Sequence, residues 1–413
     1  MLILPETVVF PERTISGANA VLKLIPECIR FGKRGVLIHG QSLAQSGLLE
    51  KILGSAPKGV EVVAWKHGGG EPMLAHLEQA LSFARKQKAE WIAGVGGGSV
   101  LDIAKACAGL FNVKSELSLY HDGAPIEKPG IPFVAAPTTA GTGSEATINA
   151  VLTNTEKRQK KSIRSPLLIA KFVILDPVLL ASCPKETIAH AGLDAFTQAI
   201  EGYTSRMSTW LSDQYGLKAI ELIAANLETV YSEKAGPDCQ SGRLLDCTKP
   251  EGPRQWRGKQ AVCPAQSGVP PCQRTNLDDS AEFNLLLGSY FAGLSFSMAR
   301  LGVVHGLAHP LGVRYHAAHG LICGACLPHA IELNRPALGG KYEVISETIG
   351  DDLLTFTRRL LKKLDVVSPF KSEQIIEKGT IIGETIKSWS TAANPKTITE
   401  SDVEFLLERL FGK

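Results

Sequence analysis

The chain has 413 residues, and its composition excludes several classes of protein. One hydrophobic core rarely organises a chain of this length, so two domains are expected. Lys and Arg number 44 against 41 Asp and Glu, which gives no reason to expect nucleic acid as a partner. No apolar run approaches the roughly 20 residues that a membrane-spanning helix needs. The first residues resemble neither a signal nor a transit peptide, so we expect a cytoplasmic protein.

The first half of the chain alternates between predicted strands and predicted helices. Five short apolar runs, each bounded by Gly, Pro or charge, predict buried strands at residues 35–39, 60–63, 91–95, 131–135 and 172–175. Between them, helical spacing of apolar side chains occurs at Leu74, Leu77, Leu81 and Ala84, and again at Val100, Ile103, Ala104, Cys107 and Phe111. Repeated strand and helix units predict an α/β domain with a mostly parallel sheet over residues 1–180.

A glycine-rich cluster at residues 94–102 follows the third predicted strand and opens a predicted helix. Glycines let the backbone approach a phosphate closely, and a helix N-terminus offers free N–H groups to it. The candidate cofactor-binding residues are Gly96, Gly97, Gly98, Ser99 and Asp102. Ser99 and Asp102 also have the spacing of a capping box. The alternative is a glycine turn that is capped for stability alone.

A second polar loop, at residues 137–145, follows the fourth predicted strand. Hydroxyl groups at the carboxyl end of a strand lie where open α/β sheets bind ligands, and they can donate to phosphate, ribose or a carboxamide. The further cofactor-binding candidates are Thr138, Thr139, Thr142 and Ser144. On its own this segment could be an ordinary polar loop. Together with the glycine cluster it predicts one crevice lined by two loops.

The second half, residues 181–413, is predicted to be all-helical, because Ala, Leu, Ile, Glu and Lys dominate and helical periods continue to the C-terminus. Residues 233–279 break this pattern with many Pro, Gly, Gln and Arg residues and are predicted to be loop or disordered. Four of the nine cysteines fall there, at Cys239, Cys247, Cys263 and Cys272. Their wide spacing disfavours a zinc module, and the odd cysteine count disfavours a disulfide framework.

Several acidic, amide and imidazole side chains recur at helical spacing in this second half. Asp194 and Gln198 are one helical turn apart, as are His305 and His309, and His319 follows. A carboxylate and several imidazoles on packed helices can hold a divalent metal. The alternative for each histidine is a hydrogen-bonded core residue.

These segments together resemble the iron-containing, or group III, alcohol dehydrogenases, whose fold is shared with dehydroquinate synthase and glycerol dehydrogenase. The resemblance covers most of the chain. Residues 96–105 resemble the family's pyrophosphate loop, 137–145 its threonine/serine loop, and 190–205 and 302–320 its two metal-site segments. The resemblance implies a dinucleotide-binding domain that faces a helical domain across a cleft. It also implies NAD or NADP as cofactor and a divalent metal, Fe²⁺ or Zn²⁺.

The resemblance also assigns roles to single residues. The family's metal ligands match Asp194, His305 and His319. Gln198 stands where the family usually has a fourth ligand, a histidine, and its amide oxygen is a neutral and weaker donor. His309 becomes the candidate catalytic residue, for proton relay. Lys160 matches a lysine that the family places near the cofactor.

Two other departures from the family concern the cofactor and the fold. Many NAD-preferring relatives carry an acidic residue at or near the position of Gly40, where it would repel a 2′-phosphate. The lack of an acid here leaves NADP admissible. Relatives usually continue as helix through the stretch at residues 233–279, which resembles an inserted or out-of-frame passage.

The expected function is that of an NAD(P)-dependent oxidoreductase that interconverts a small alcohol and its aldehyde or ketone by metal-assisted hydride transfer. The resemblance also implies a homodimer or larger homo-oligomer. Two alternatives stay open: a metal-free reductase of the maleylacetate reductase type, and a catalytically silent scaffold that binds nucleotide. A lyase related to dehydroquinate synthase would need a denser charged cleft.

Overall fold

A computed structural model describes residues 2–157, 159–234 and 280–412 of the chain. The strands are β1 (Thr14–Ser16), β2 (Arg34–His39), β3 (Glu61–Lys66), β4 (Trp91–Gly96), β5 (Phe133–Pro137), β6 (Asn149–Asn154), β7 (Gln159–Arg164) and β8 (Phe172–Leu175). The helices between them are α1 (Leu24–Cys28), α2 (Gln41–Gln45), α3 (Leu48–Gly54), α4 (Leu74–Lys86), α5 (Gly98–Gly109) and α6 (Leu117–His121). The five predicted strands correspond to β2, β3, β4, β5 and β8, and the two predicted helical periods correspond to α4 and α5.

Six strands form one parallel sheet in the order β1-β8-β5-β4-β2-β3. Strands β4, β5 and β8 are buried along their whole length, as is usual where helices cover both faces of a parallel sheet. Gly96 pairs with Pro137, and the Thr138 N–H donates to the Gly96 carbonyl oxygen at 3.0 Å. The loops that follow β4 and β5 therefore begin side by side at the carboxyl edge of the sheet.

A separate antiparallel hairpin of β6 and β7 was not among the predicted elements. Exposed and partly buried residues alternate along most of β7, which carries Lys160, Lys161 and Arg164. A polar strand of this kind lacks the apolar run by which buried strands are recognised in a sequence. β1 is also missed, because its three residues are too few to show a pattern.

After β8 the described residues form helices and turns but no further strand. The helices are α7 (Lys185–Thr204), α8 (Trp210–Glu233), α9 (Ala281–Ala299), α10 (Val303–Tyr315), α11 (His319–Leu338), α12 (Gly340–Ile349), α13 (Leu353–Lys363), α14 (Lys378–Lys387) and α15 (Glu400–Phe411). Helices α7, α8 and α9 pack against one another, and α11 packs on α7. The predicted fold class, a mostly parallel α/β half followed by a helical half, is confirmed.

The change from sheet to helices falls close to the predicted domain boundary at residue 180, because β8 ends at Leu175 and α7 begins at Lys185. Buried side chains of the sheet and of α7–α9 nevertheless form one continuous apolar cluster. The division into two domains therefore stays a prediction. α8 extends to Glu233, and residues 235–279, with the four cysteines considered for zinc, lie outside the described residues.

The loop after β5 lies directly against α9. Gly143 has a φ of 59°, a value that favours glycine. A Cβ on Gly143 would lie 2.7 Å from the Cα atom of Gly293 in α9. The carboxyl edge of the sheet and the helical half thus meet through backbone contact, which fixes the cleft between them.

Five cysteines are described, and all are buried and free: Cys28, Cys107, Cys183, Cys323 and Cys326. These five thiols therefore form no disulfide with one another. Within the described ranges no single helix has the length and hydropathy of a membrane span. Helices α9 and α10 satisfy that test only when they are taken together, and a bend of 103° separates them.

Candidate active site

Two loops at the carboxyl edge of the sheet pack against each other. α5 begins at Gly98, with Gly97 as its extended N-cap residue. A Cβ on Gly98 would lie 2.5 Å from Cγ2 of Thr142, and a Cβ on Gly97 would lie 3.3 Å from Cγ2 of Thr139. The structure thus brings the glycine cluster and the hydroxyl loop together, as predicted. Free N–H groups at the start of α5 are available to an anion at this junction.

The predicted capping box of Ser99 and Asp102 is wrong. The helix starts at Gly98, so Ser99 lies within its first turn, and no side chain caps the Gly97 position. Asp102 is buried and accepts hydrogen bonds from the Ser144 hydroxyl at 2.6 Å and from the Val151 N–H at 3.2 Å. Asp102 and Ser144 therefore fasten the hydroxyl loop to α5.

A buried lysine, Lys105, completes the support of the hydroxyl loop. Its Nζ donates to the Ser144 carbonyl oxygen at 2.6 Å and to the Thr147 hydroxyl at 3.1 Å. Burial lowers the pKa of Lys105 to about 8, against the opposing charges of Asp102 and Glu145. Burial also raises the pKa of Glu145 to about 7. Neither residue is predicted from the sequence, because a charged residue within a helix or loop gives no sign of its partners.

Four potential metal ligands converge in the helical half. Asp194 lies on α7, His305 on α10, and His319 and Cys323 on α11. One ligand atom from each lies within 4.8 Å of the others. Nε2 of His305 is 3.2 Å from Oδ1 of Asp194, and Nε2 of His319 is 3.7 Å from the same oxygen. Three of the four predicted metal ligands are thus brought together.

Close packing of α11 on α7 positions His319. Gly320 follows it, and a Cβ on Gly320 would lie 2.0 Å from the His190 carbonyl oxygen. Only glycine allows the start of α11 to approach the α7 backbone this closely. His319 and Asp194 are thereby brought within reach of one ion.

Cys323 is the member of this cluster that the sequence did not reveal. Its Sγ lies 3.7 Å from Nε2 of His319, which is one helical turn earlier on α11. In the sequence Cys323 stands among apolar residues and is interpreted as a small hydrophobic side chain. The spacing of four residues from His319 is the signal that could have found it. Burial raises the pKa of the thiol to about 12, so binding to a metal would require loss of this proton.

Gln198 lies one turn beyond Asp194 on α7, at the position of the predicted fourth ligand. Its side chain is buried, and its Oε1 atom has no hydrogen-bond partner within the described parts of the chain. A buried carbonyl oxygen without a partner is costly, and an ion bound beside Asp194 would relieve that cost. The donor set of oxygen, imidazole nitrogen and sulfur atoms therefore fits a divalent metal.

A buried carboxylate, Glu201, orients the His305 ring. Nδ1 of His305 lies 2.6 Å from Oε2 of Glu201, and Oε1 of Glu201 accepts from the Val304 N–H at 2.7 Å. With Nδ1 as the donor to Glu201, Nε2 is the ring atom that faces Asp194. Burial opposes a charge on His305, but the Cys323 sulfur and the carboxylates of Glu201 and Asp194 outweigh it and raise the pKa of His305.

His309, the predicted catalytic residue, stacks on His319 with the ring centroids 5.3 Å apart. Burial, together with the charges of Lys160 and His305, lowers the pKa of His309 to about 3. His309 is therefore a neutral imidazole at pH 7. It can relay a proton, but its protonated form is not populated at this pH. Lys160 forms an ion pair with Glu71 at 2.6 Å and reaches this region from β7.

Two family models match the chain. The model described as iron-containing alcohol dehydrogenase matches residues 11–177, and that of the C-terminal part of the Fe-containing alcohol dehydrogenase family matches residues 188–242 and 269–411. The chain belongs to the iron-containing alcohol dehydrogenase family. The second match is interrupted between residues 242 and 269, inside the stretch that resembles an inserted passage.

Similar proteins agree with membership of the iron-containing alcohol dehydrogenases. Lactaldehyde reductase of Escherichia coli strain K12 is 31% identical over 355 residues, which cover 84% of this chain and 79% of the relative. The crystal structure of a 1,3-propanediol oxidoreductase has a TM-score of 0.81 at 26% identity and covers 98% of both chains. Sulfoacetaldehyde reductase from Bifidobacterium kashiwanohense, solved in complex with NAD+, covers 100% of both chains with a TM-score of 0.83 at 22% identity and has the same fold.

The predicted family, enzyme class and cofactor class are thus confirmed. This iron-containing alcohol dehydrogenase is an oxidoreductase that interconverts alcohols with aldehydes or ketones and uses a nicotinamide dinucleotide. A small alcohol or aldehyde is its class of substrate.

Glu201→Gln should weaken metal binding, because a neutral amide holds the Nδ1–H group of His305 less firmly than a carboxylate does. We expect the dissociation constant for Zn²⁺ to rise by about 10–100-fold. Competition with a chromophoric chelator measures this constant in the purified protein. Glu186→Gln, an exposed change in the first turn of the same helix, is the matched control. Equal Zn²⁺ affinity in the wild type and in Glu201→Gln would refute the positioning role of Glu201.

Proposed function

We propose that the active site is the cleft between the sheet edge and the helical half, with a divalent metal held by Asp194, His305 and His319. The convergence of these three side chains, with Asp194 and His305 buried and His319 partly buried, carries the proposal. Gln198 is the proposed fourth ligand, because its buried Oε1 has no partner among the described residues. Cys323 is the other donor within reach of the same centre.

The proposed cofactor site is the junction of the glycine cluster and the hydroxyl loop. Backbone N–H groups at the start of α5 would bind the pyrophosphate, and hydroxyl groups would bind ribose or the carboxamide. The proposed residues are Gly96, Gly97, Gly98, Ser99, Asp102, Thr138, Thr139, Thr142, Ser144 and Lys160. Asp102 and Ser144 contribute by holding the loop in place. Residues 38–41 include no acidic side chain, so NADP remains admissible beside NAD.

When bound, the metal supplies Lewis acidity to the substrate oxygen, and the nicotinamide exchanges hydride with the substrate carbon. Glu201 keeps the His305 ring in its orientation through the Nδ1 hydrogen bond. His309, a neutral imidazole at pH 7, accepts the hydroxyl proton of an alcohol substrate and passes it to solvent. Burial and, after it, the charges of Lys160 and His305 keep His309 neutral at pH 7.

One observation favours a metal-free reductase as the second candidate. Asp194 and Glu201 lie on either side of His305. Burial opposes a charge on this ring, but its acidic neighbours outweigh burial and raise the pKa of His305. An imidazolium could then take the place of a metal cation and donate a hydrogen bond to a carbonyl oxygen of the substrate.

The assembly, the cellular location and the domain division are also proposed here. A cytoplasmic homodimer or larger homo-oligomer is what the family resemblance supports. The proposed division near residue 180 is supported by the change from sheet to helices between Leu175 and Lys185.

Chelation separates the two candidate mechanisms. With short aldehydes and keto acids we expect the purified protein to oxidise NADH or NADPH, to lose most of that activity on chelation, and to regain it with Fe²⁺ or Zn²⁺. An oxidation rate that does not change on chelation would favour the metal-free reductase. Cofactor binding without turnover would identify a silent scaffold and overturn both candidates.

Cobalt spectroscopy tests which side chain is the fourth ligand. Gln198→Ala should lower the Co²⁺ affinity several-fold, because it removes an oxygen donor. Cys323→Ala should leave both the affinity and the spectrum unchanged. A sulfur-to-cobalt charge-transfer band in the wild type that disappears in Cys323→Ala would identify the thiolate as a ligand, and an unchanged Co²⁺ affinity in Gln198→Ala would reject the role of Gln198.

A further inference from the structure

Two arginines lie against a single tryptophan ring beside the active site. Arg164 ends β7, Arg300 lies between α9 and α10, and Trp389 follows α14. The guanidinium carbon of Arg164 is 3.6 Å from the centroid of the Trp389 ring, and that of Arg300 is 4.0 Å from it. Three segments that are distant in the sequence thus place two positively charged side chains against one indole ring.

Neither guanidinium has an acidic partner among the residues that the structure describes. Within the described ranges, Arg164 and Arg300 form no ion pair and donate no side-chain hydrogen bond to the protein. Partial burial of the guanidinium and the charge of Arg300 lower the pKa of Arg164 to about 10, although the residue as a whole is exposed. Two cations held against one ring repel each other. No carboxylate of the described residues balances their charge.

The guanidinium N–H groups of both arginines make no hydrogen bond to the described residues. A guanidinium that contacts an aromatic ring through its face presents its N–H groups at its edge, in the fork that matches carboxylate, sulfonate and phosphonate oxygens. Arg164 is exposed, Arg300 is half-buried, and Trp389 is 46% exposed. A small anion in solvent therefore has access to both side chains.

The arginine pair adjoins the proposed metal centre. β7, which carries Arg164, packs against α10, and Arg300 precedes the first residue of α10, Val303. Thr391, two residues after Trp389, touches α10 at Gly306, where its Oγ1 would lie 1.9 Å from an added Cβ. His305 and His309 lie on the same helix. After burial and the charges of Lys160 and His305, the charge of Arg164 also lowers the pKa of His309, so Arg164 lies near the proposed metal centre.

We propose that Arg164 and Arg300 bind an anionic group on the substrate, so that the preferred substrates are short aldehydes and alcohols with a carboxylate, sulfonate or phosphonate at the far end. This inference rests on the proposed function, because it uses the same cleft. The pyrophosphate of the cofactor is a less suitable occupant. Its proposed site is the start of α5, and neither arginine belongs to that loop.

The test compares aldehydes of matched chain length that end in a methyl, carboxylate, sulfonate or phosphonate group. We expect lower KM values for the anionic aldehydes in the wild type. Arg164→Gln and Arg300→Gln should each raise KM for anionic aldehydes about tenfold or more relative to the methyl compound. The KM of each Arg→Lys variant should lie between that of the wild type and that of the glutamine variant. The carboxylate, sulfonate and phosphonate arms identify which anion fits best.

Arg30→Gln is the matched control. Arg30 also lies over aromatic rings, with its guanidinium carbon 4.7 Å from the Phe31 centroid and 5.3 Å from that of Phe172. It sits at the opposite, amino-terminal edge of the sheet. The loss of cation–π stacking there should leave the ratio of KM values unchanged.

The inference is overturned if the wild type shows no preference for anionic aldehydes, or if both glutamine variants raise KM equally for neutral and anionic ones. If the glutamine variants raise only the KM of NADH, the arginines bind the cofactor, and the inference is rejected. If no aldehyde is reduced, the proposed function fails, and binding of methanesulfonate or methylphosphonate decides the inference separately. Binding that is detected by calorimetry and lost in Arg164→Gln supports the anion site, and its absence in the wild type rejects it.

Discussion

The Asp194 carboxylate, buried between two imidazoles, is the interaction on which the active site depends. A buried ionised group is costly unless cations and hydrogen bonds compensate for its lost hydration. Nε2 of His305 and Nε2 of His319 approach one oxygen of Asp194, and Glu201 binds the far side of the His305 ring. Three helices must therefore pack correctly before the charges are compensated. The proposed divalent ion would add positive charge to the cluster and would give Oε1 of Gln198 the partner that it lacks among the described residues.

The fold brings this cluster to the cofactor loops by two separate means. The parallel sheet places the loops after β4 and β5 at one edge. There Asp102 and Lys105 of α5 hold the two loops together through hydrogen bonds to Ser144. The backbone contact between Gly143 and Gly293 then fixes that edge against α9. The β6–β7 hairpin carries basic side chains across to α10. A mostly apolar scaffold thus presents positive charge both to the cofactor and to the proposed anionic end of the substrate.

The sequence predicted those parts of the fold that have a local signature. Strands β2, β4, β5 and β8 read as apolar runs because parallel strands are buried on both faces. The helical half was recognised from its periodicity, and the glycine and hydroxyl loops from their positions after strands. The capping box failed because the two residues have the right spacing but lie two positions too far into α5, whose N-cap residue is Gly97. Spacing alone does not locate the first residue of a helix.

The rest of the site depends on contacts between distant segments, which no local pattern encodes. Glu201 looks like any acidic residue of a helix until α10 packs beside it. Cys323 is apolar in its sequence context and becomes a potential ligand only when α11 meets α7. The polar strand β7 gave no signal, so the position of Arg164 against Trp389 was also not predictable. Helical spacing indicated the candidate metal ligands, and the resemblance to a family assigned their roles.

Metal analysis of the purified protein tests the central claim most directly. The wild type and Asp194→Ala would be expressed side by side, and the metal bound per chain would be measured together with turnover. The account predicts one divalent ion per chain in the wild type and loss of both metal and turnover in Asp194→Ala, while thermal unfolding shows that the variant remains folded. Full turnover in a wild-type protein that carries no metal, or equal metal content in the two proteins, would contradict it.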